Sequence, residues 1–230
     1  MNRIHRRCPL PPSSALKAVR MHLDQNARVL FVSIVVALFA GALLMYLLRP
    51  PQASGLPGPL PLAYPFTASS HFDDRPPGMT VDTVVLHATT FGSMEESVAF
   101  FLAPTTEVST HFVVGRDGAV VQLVPVEKRA WHAGKSRLQG VEHVNDFSVG
   151  IELVNRNDGV EPYPEVQVQA AAGIVRLLRS RYAIPDDRIV SHAEVATPPG
   201  RKTDPIGLDL SRFRRMTRSS ATWSQPSEVP

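Results

Sequence analysis

The sequence predicts an α/β domain built on a mixed β-sheet, and three observations carry that reading. Residues 83–89, Thr-Val-Val-Leu-His-Ala-Thr, form a short β-branched run that is apolar on both faces, as a strand in the middle of a sheet would be. Residues 111–123 read as two strands joined by an Arg-Asp-Gly turn, a strong hairpin signal. Residues 164–182 place Val166, Ala170, Ile174, Leu177 and Leu178 on one stripe at helical spacing, with Arg176, Arg179 and Arg181 around it. Strand, helix, hairpin, strand, helix and strand in succession describe an α/β fold.

Taken in order, the 230 residues suggest one domain with appendages rather than two full domains. Residues 1–28 form a basic tail, with Arg3, Arg6, Arg7, Lys17, Arg20 and Arg28 against Asp24 alone. That tail carries more positive charge than the whole chain's net +3, so the remainder is net negative. No basic stripe runs through the folded part, which excludes a fold-borne nucleic-acid site as the reading of the charge.

Residues 29–48 run without a charged side chain. At about 1.5 Å per residue such a helix spans about 30 Å, the hydrocarbon thickness of a bilayer. Cations on its N-terminal side place the tail in the cytoplasm and the rest of the chain outside. A cleaved signal peptide is the competing reading, but the apolar run is longer than a usual signal core and no convincing small-x-small site follows it. Initiation at Met21 instead of Met1 would leave only Arg28 on the inner side and favour cleavage. Residues 49–66 are too proline-rich for helix or central strand and read as an extended linker. Residues 67–216 are the expected domain, and the polar residues 217–230 are the expected disordered tail. The one cysteine, Cys8, falls in the basic tail, so the exported part has neither a disulfide nor a thiolate metal ligand.

Inside the domain, Ser93 with Glu96 three residues on forms a capping-box signal ahead of Val98, Phe101 and Leu102. The run 147–154 is a further strand, in which Glu152 shares a face with Gly150 and Val154 while Ile151 and Leu153 point the other way. A carboxyl in mid-strand among apolar neighbours needs a partner, because burying it unpaired costs several kcal/mol. His111, at the start of a strand, reads as a hydrogen-bonded structural histidine, and Asp209 as the cap or brace of a last helix.

The densest chemistry lies in residues 191–205. His192 ends a predicted strand, 188–192, and the Pro-Pro-Gly turn at 198–200 brings Asp204 back toward it. Lys202 and Asp204 are two apart and share a side in an extended segment. Taken alone, the stretch reads either as two-thirds of a metal site or as a surface loop.

The motifs Val-Val-Leu-His-Ala-Thr, His-Phe-Val-Val-Gly-Arg-Asp-Gly, Trp-His-Ala-Gly, Asn-Asp-Phe-Ser-Val-Gly-Ile-Glu-Leu, and Ser-His followed by Pro-Gly-Arg-Lys-Thr-Asp-Pro occur in that order over about residues 80–215. This set resembles the zinc-dependent N-acetylmuramoyl-L-alanine amidases, a family that includes bacterial anhydro-muropeptide amidases, phage amidases and animal peptidoglycan recognition proteins. The resemblance implies a Zn2+ ion held by His87, His192 and Asp204, a catalytic acid/base at Glu152 and an electrostatic helper at Lys202. It implies hydrolysis of the amide between the muramic acid lactyl group and L-alanine, with peptidoglycan or muropeptides as substrate. Trp131, His132 and Arg201 are the candidate substrate contacts. A non-catalytic muropeptide-binding module is the alternative, and the presence of all five site residues weighs against it. With the anchor, the domain is expected to be membrane-tethered and extracytoplasmic or periplasmic. A reporter fused after residue 66 is therefore expected to be exported; a cytoplasmic reporter would overturn the topology.

Overall fold

A computed structural model of the protein describes residues 64–218. In chain order the strands are β1 (Phe72–Asp74), β2 (Thr83–Ala88), β3 (Phe112–Val114), β4 (Val120–Gln122), β5 (Lys128–Ala130), β6 (Arg137–Leu138), β7 (Val141–Glu142), β8 (Ser148–Leu153) and β9 (Ile189–Ser191). The α-helices are α1 (Met94–Leu102), α2 (Glu165–Arg179), α3 (His192–Val195) and α4 (Leu210–Met216). A five-stranded sheet in the order β4–β3–β8–β2–β9 organises them, with β2 parallel to β8 and β9, β3 parallel to β8, and β4 antiparallel to β3. The predicted mixed α/β architecture is the observed one.

Every residue of β2 and β8 is buried, which explains why neither strand alternates cleanly between apolar and polar. On one face Val84, Leu86, Val149, Ile151 and Leu153 pack with Ala171, Ile174, Val175 and Leu178 of α2 and with Phe213 of α4. Each fully buried aliphatic or aromatic side chain there contributes roughly 1.5–3 kcal/mol of transfer free energy. The opposite face carries two smaller apolar groups, Val85 with Val144, Phe147, Val190 and Val195, and Phe101 with Val113, Leu123 and Val154. By strand alternation His87 and Glu152 share that second face.

The hairpin turns at residues 115–119, where Gly115 N–H donates to Ala119 O at 2.8 Å and Gly118 takes φ +85°, a conformation suited to glycine. Ser93 caps α1 by accepting the Glu96 N–H, and Asp209 caps α4 by accepting the Arg212 N–H. Helix α2 is shorter than the predicted 164–182, since the chain turns at Ser180–Tyr182 ahead of Pro185. Its buried face is also wider than the predicted stripe. Gln167 is fully buried there and donates from Nε2 to Val114 O and Val154 O, both at 3.0 Å, tying the helix to the ends of β3 and β8.

Two expected boundaries move. Tyr64 and Phe66, assigned to the linker, belong to the fold: Tyr64 packs edge-on against Phe112, and Phe66 bridges to Gln122. Thr217, assigned to the tail, is buried and accepts a hydrogen bond from Arg179 Nη1 at 2.9 Å. The expected basic tail 1–28, membrane span 29–48 and most of the linker lie outside the described residues. Among the described residues no helix is long and apolar enough to cross a membrane.

Arg75, just after β1, holds the segment before β8. Nη1 donates to Asn145 O and Asp146 O, and Nη2 donates to Val126 O and Ser148 O, all within 2.9–3.0 Å. All four terminal hydrogens are thereby used, and although burial lowers the Arg75 pKa to about 10, the group stays charged at neutral pH. Lysine has one nitrogen and cannot reproduce this fork. Arg75→Lys should cost about 3 kcal/mol or more. That corresponds to a fall of roughly 6–12 °C in a melting curve; an unchanged midpoint would contradict the role.

Candidate metal centre

Sheet register assembles the site. His87 of β2 stands directly opposite Glu152 of β8, so two side chains far apart in sequence emerge side by side on one face. On the other flank of β2, Leu86 pairs with Ser191, which delivers the following residue, His192, beside His87. His192 does not end a strand, as its sequence suggested; it opens α3. Ser191 accepts the Glu194 N–H, and the Glu194 carboxylate accepts the Ser191 N–H, a reciprocal capping box that ends β9 at Ser191. Asp204 returns on the loop after α3, pinned where Ala193 N–H donates to its carbonyl at 3.0 Å.

The three side chains converge. His87 Nδ1 lies 3.0 Å from His192 Nδ1 and 3.4 Å from Asp204 Oδ2, and His192 Nδ1 lies 3.1 Å from the same oxygen. All three residues are buried. Bonds of 2.0–2.1 Å to a tetrahedral zinc would hold ligand atoms about 3.3 Å apart, so the observed triangle fits that ion. The donor types fit as well, two imidazoles and a carboxylate without thiolate.

Electrostatics supports the same conclusion. His192 Nε2 is 3.2 Å from Ala133 O, and because a carbonyl can only accept, Nε2 carries a hydrogen, which leaves Nδ1 as the ring atom turned toward His87 and Asp204. Burial and the neighbouring His192 push the His87 pKa down to about 4, so its ring is neutral. A carboxylate and two imidazole edges in one dry corner call for a cation.

Glu152 stands at the edge of this triangle, Oε1 4.0 Å from His87 Nδ1. Its Oε2 is buried without a hydrogen-bond partner. Burial first, then the charge of Asp204, raises its pKa well above the carboxyl norm, with Lys202 acting in the opposite sense. Lys202 is exposed, and its charge reaches both Glu152 and His87.

The three candidate substrate contacts are placed differently from one another. Trp131 is half-buried, its Nε1 donating to Asp73 Oδ1 at 3.3 Å. His132 is buried behind His87 with both ring nitrogens engaged, at 3.1 Å from His87 Nε2 and 3.2 Å from Ser148 Oγ, so it faces the site's interior rather than a substrate. Arg201 spends its guanidinium on three carbonyls, those of Thr197, Ala133 and Lys135. It is a strut across the loop, and it shares the Ala133 oxygen with His192. The sequence reading did not connect Ser148 or the Ala133 carbonyl with the site. One sign was present: Gly150 in mid-strand marks a close approach. His111 is structural, as expected, with Nδ1 accepting the Gly150 N–H and Nε2 facing Lys128 O.

Comparison with known proteins identifies the family. The profile of the N-acetylmuramoyl-L-alanine amidase family matches residues 77–207. The 1,6-anhydro-N-acetylmuramyl-L-alanine amidase AmpD of Salmonella typhimurium is 36% identical over 173 residues, covering 66% of this chain and 89% of that protein. Among solved structures, a selenomethionine derivative of AmpD superposes with a TM-score of 0.59 at 35% identity, covering 66% of this chain and 93% of that one. The amidase AmiD of Escherichia coli, solved with the substrate anhydro-N-acetylmuramic acid-L-Ala-D-γ-Glu-L-Lys, gives a TM-score of 0.51 at 31% identity over 58% of this chain and 57% of that one. The chain therefore belongs to the N-acetylmuramoyl-L-alanine amidase family.

Proposed function

We propose that this N-acetylmuramoyl-L-alanine amidase works through a zinc ion held by His87, His192 and Asp204, with Glu152 moving the proton and Lys202 countering the developing charge. The reaction adds water across the amide between the muramic acid lactyl carbonyl and the L-alanine nitrogen, giving a carboxylate and a free stem peptide. The observation that carries the reading is the triangle of two ring nitrogens and one carboxylate oxygen, 3.0–3.4 Å on each side, beside a buried carboxyl oxygen with no partner.

Zinc, when bound, supplies Lewis acidity that polarises a carbonyl oxygen and makes water a stronger acid. Glu152 does the proton work. A carboxyl lifted above its ordinary range is a stronger base than an exposed one, and its protonated form can then donate to the leaving L-alanine nitrogen. The unpartnered Oε2 is the atom free to do so. Lys202 sits where its charge is felt by Glu152 and His87, and its ammonium offsets negative charge on the attacked carbonyl oxygen. The buried walls exclude bulk water, so each of these interactions acts at low dielectric.

The names of the relatives make an anhydro-muropeptide the first substrate to try. We further read residues 29–48 as an anchor that holds the domain outside the cytoplasm; their uncharged run supports this. Incubating the purified chain and zinc with anhydro-N-acetylmuramic acid-L-Ala-D-γ-Glu-L-Lys should release the free tripeptide by mass spectrometry. Intact substrate after incubation with folded, zinc-loaded protein would sink the enzymatic reading and leave a binding module.

Glu152→Gln should lower turnover about 10²–10⁴-fold. The same change should stabilise the metal-free protein. Because the Glu152 pKa is raised on folding, its contribution to stability is intact below its unfolded value of about 4.3, and is lost as pH rises through the folded pKa. The variant's melting temperature should therefore exceed the parent's by an amount that grows from acid to neutral pH. A variant that is less stable at neutral pH, or fully active, would contradict the assignment.

A further inference from the structure

We propose that His132 is a positioning residue, holding the His87 ring in the orientation and tautomer that turn an Nδ1 lone pair toward His192 and Asp204. This rests on His87 being a metal ligand, and it assigns the cause of that ligand's geometry to a residue that touches neither substrate nor metal.

Three contacts in series fix the direction of every hydrogen. Ser148 Oγ lies 2.6 Å from Val144 O, and since a carbonyl has no hydrogen to give, the hydroxyl donates to it. With that hydrogen committed, the 3.2 Å contact between Ser148 Oγ and His132 Nε2 is bonding only if Nε2 carries the hydrogen. With its hydrogen on Nε2 and spent on Ser148, the buried His132 ring presents its Nδ1 lone pair to His87. His87 Nε2, 3.1 Å away, must then donate to it, which leaves His87 Nδ1 unprotonated. The order runs from the Val144 carbonyl through Ser148 and His132 to His87. A buried chain of this kind has one low-energy polarity, because reversing one member leaves two donors or two acceptors facing each other.

The surrounding backbone is shaped for the ring. A Cβ on Gly150 would sit 2.5 Å from His132 Cγ and 2.8–2.9 Å from Cδ2 and Nδ1, so only glycine in mid-β8 admits the imidazole at this depth. The next residue performs the matching service for the other ligand: Ala133 O accepts from His192 Nε2. Ala133 is itself held, its N–H donating to Asn145 Oδ1 at 2.8 Å and its oxygen also receiving Arg201 Nη2 at 3.0 Å. One dipeptide, 132–133, thus sets the tautomers of both ligand imidazoles.

The test measures zinc affinity of the full chain by competition with a chromophoric chelator, alongside ¹⁵N spectra of the metal-free imidazoles and a melting curve. His132→Leu removes the acceptor and should weaken zinc binding about 10–100-fold. His132→Gln offers an amide oxygen to His87 and an amide hydrogen to Ser148, and should recover most of the loss. Gly150→Ala should weaken zinc binding while keeping every polar group, by displacing the ring. In the unsubstituted chain His87 should appear as the Nε2–H tautomer, and in His132→Leu as a mixture. A folded His132→Leu with parental zinc affinity, failure of His132→Gln to recover binding, or His87 as the Nδ1–H tautomer in the parent would overturn the proposal. If the parent itself bound no zinc, the metal centre would fall, and the ¹⁵N tautomer would still decide what His132 does.

Discussion

Three electron-rich atoms, two imidazole nitrogens and a carboxylate oxygen, are held within 3.4 Å of one another in a buried corner, and much of the local structure exists to keep them there. Left without a cation or an added proton such a triangle is repulsive, and the neutral His87 ring disfavours the proton. A positive charge bound at its centre would stabilise that arrangement. The fold can hold the triangle because the opposite face of the sheet, packed against α2 and α4, supplies the apolar burial that stabilises the domain. Stability and chemistry are divided between the two faces of one sheet.

Rigidity at the site comes from backbone carbonyls more than from side-chain ion pairs. Arg75 gathers the carbonyls of Val126, Asn145, Asp146 and Ser148, and Arg201 gathers those of Ala133, Lys135 and Thr197. A planar guanidinium reaches several carbonyls at fixed angles, which suits it to pin irregular chain around a site. Both arginines converge on the segments that carry His132, Ala133 and Ser148. The geometry of the candidate site is thus set at second hand, through loops made stiff by hydrogen bonds they cannot make with themselves.

Much of the fold was legible because it rests on local rules. The β-branched run at 83–89, the Arg-Asp-Gly turn and the caps Ser93 and Asp209 each read correctly from a few neighbouring residues. Glu152 also announced itself, as a carboxyl where a strand should have been apolar. His87 as the partner of His192 and Asp204 was not derivable from spacing; it came from family resemblance, and β2–β9 pairing is the physical reason they meet. What escaped were the long-range polar contacts. Arg201 looked like a substrate ligand because nothing in its neighbours shows that three carbonyls will surround it. His132 looked like a loop residue because its partner, Gly150, is a strand position that only tertiary structure brings beneath it. The true reciprocal capping box, Ser191 with Glu194, was overlooked because a strand pattern overlapped it.

The central claim is that His87, His192 and Asp204 form one cation site, and calorimetric titration of zinc into the metal-free chain tests it most directly. The account predicts one zinc per chain, with binding lost or severely weakened in His87→Ala, His192→Ala and Asp204→Ala alike while each variant stays folded. Tight binding that survives removal of any one of the three, or a folded parent chain that takes up no zinc, would contradict it.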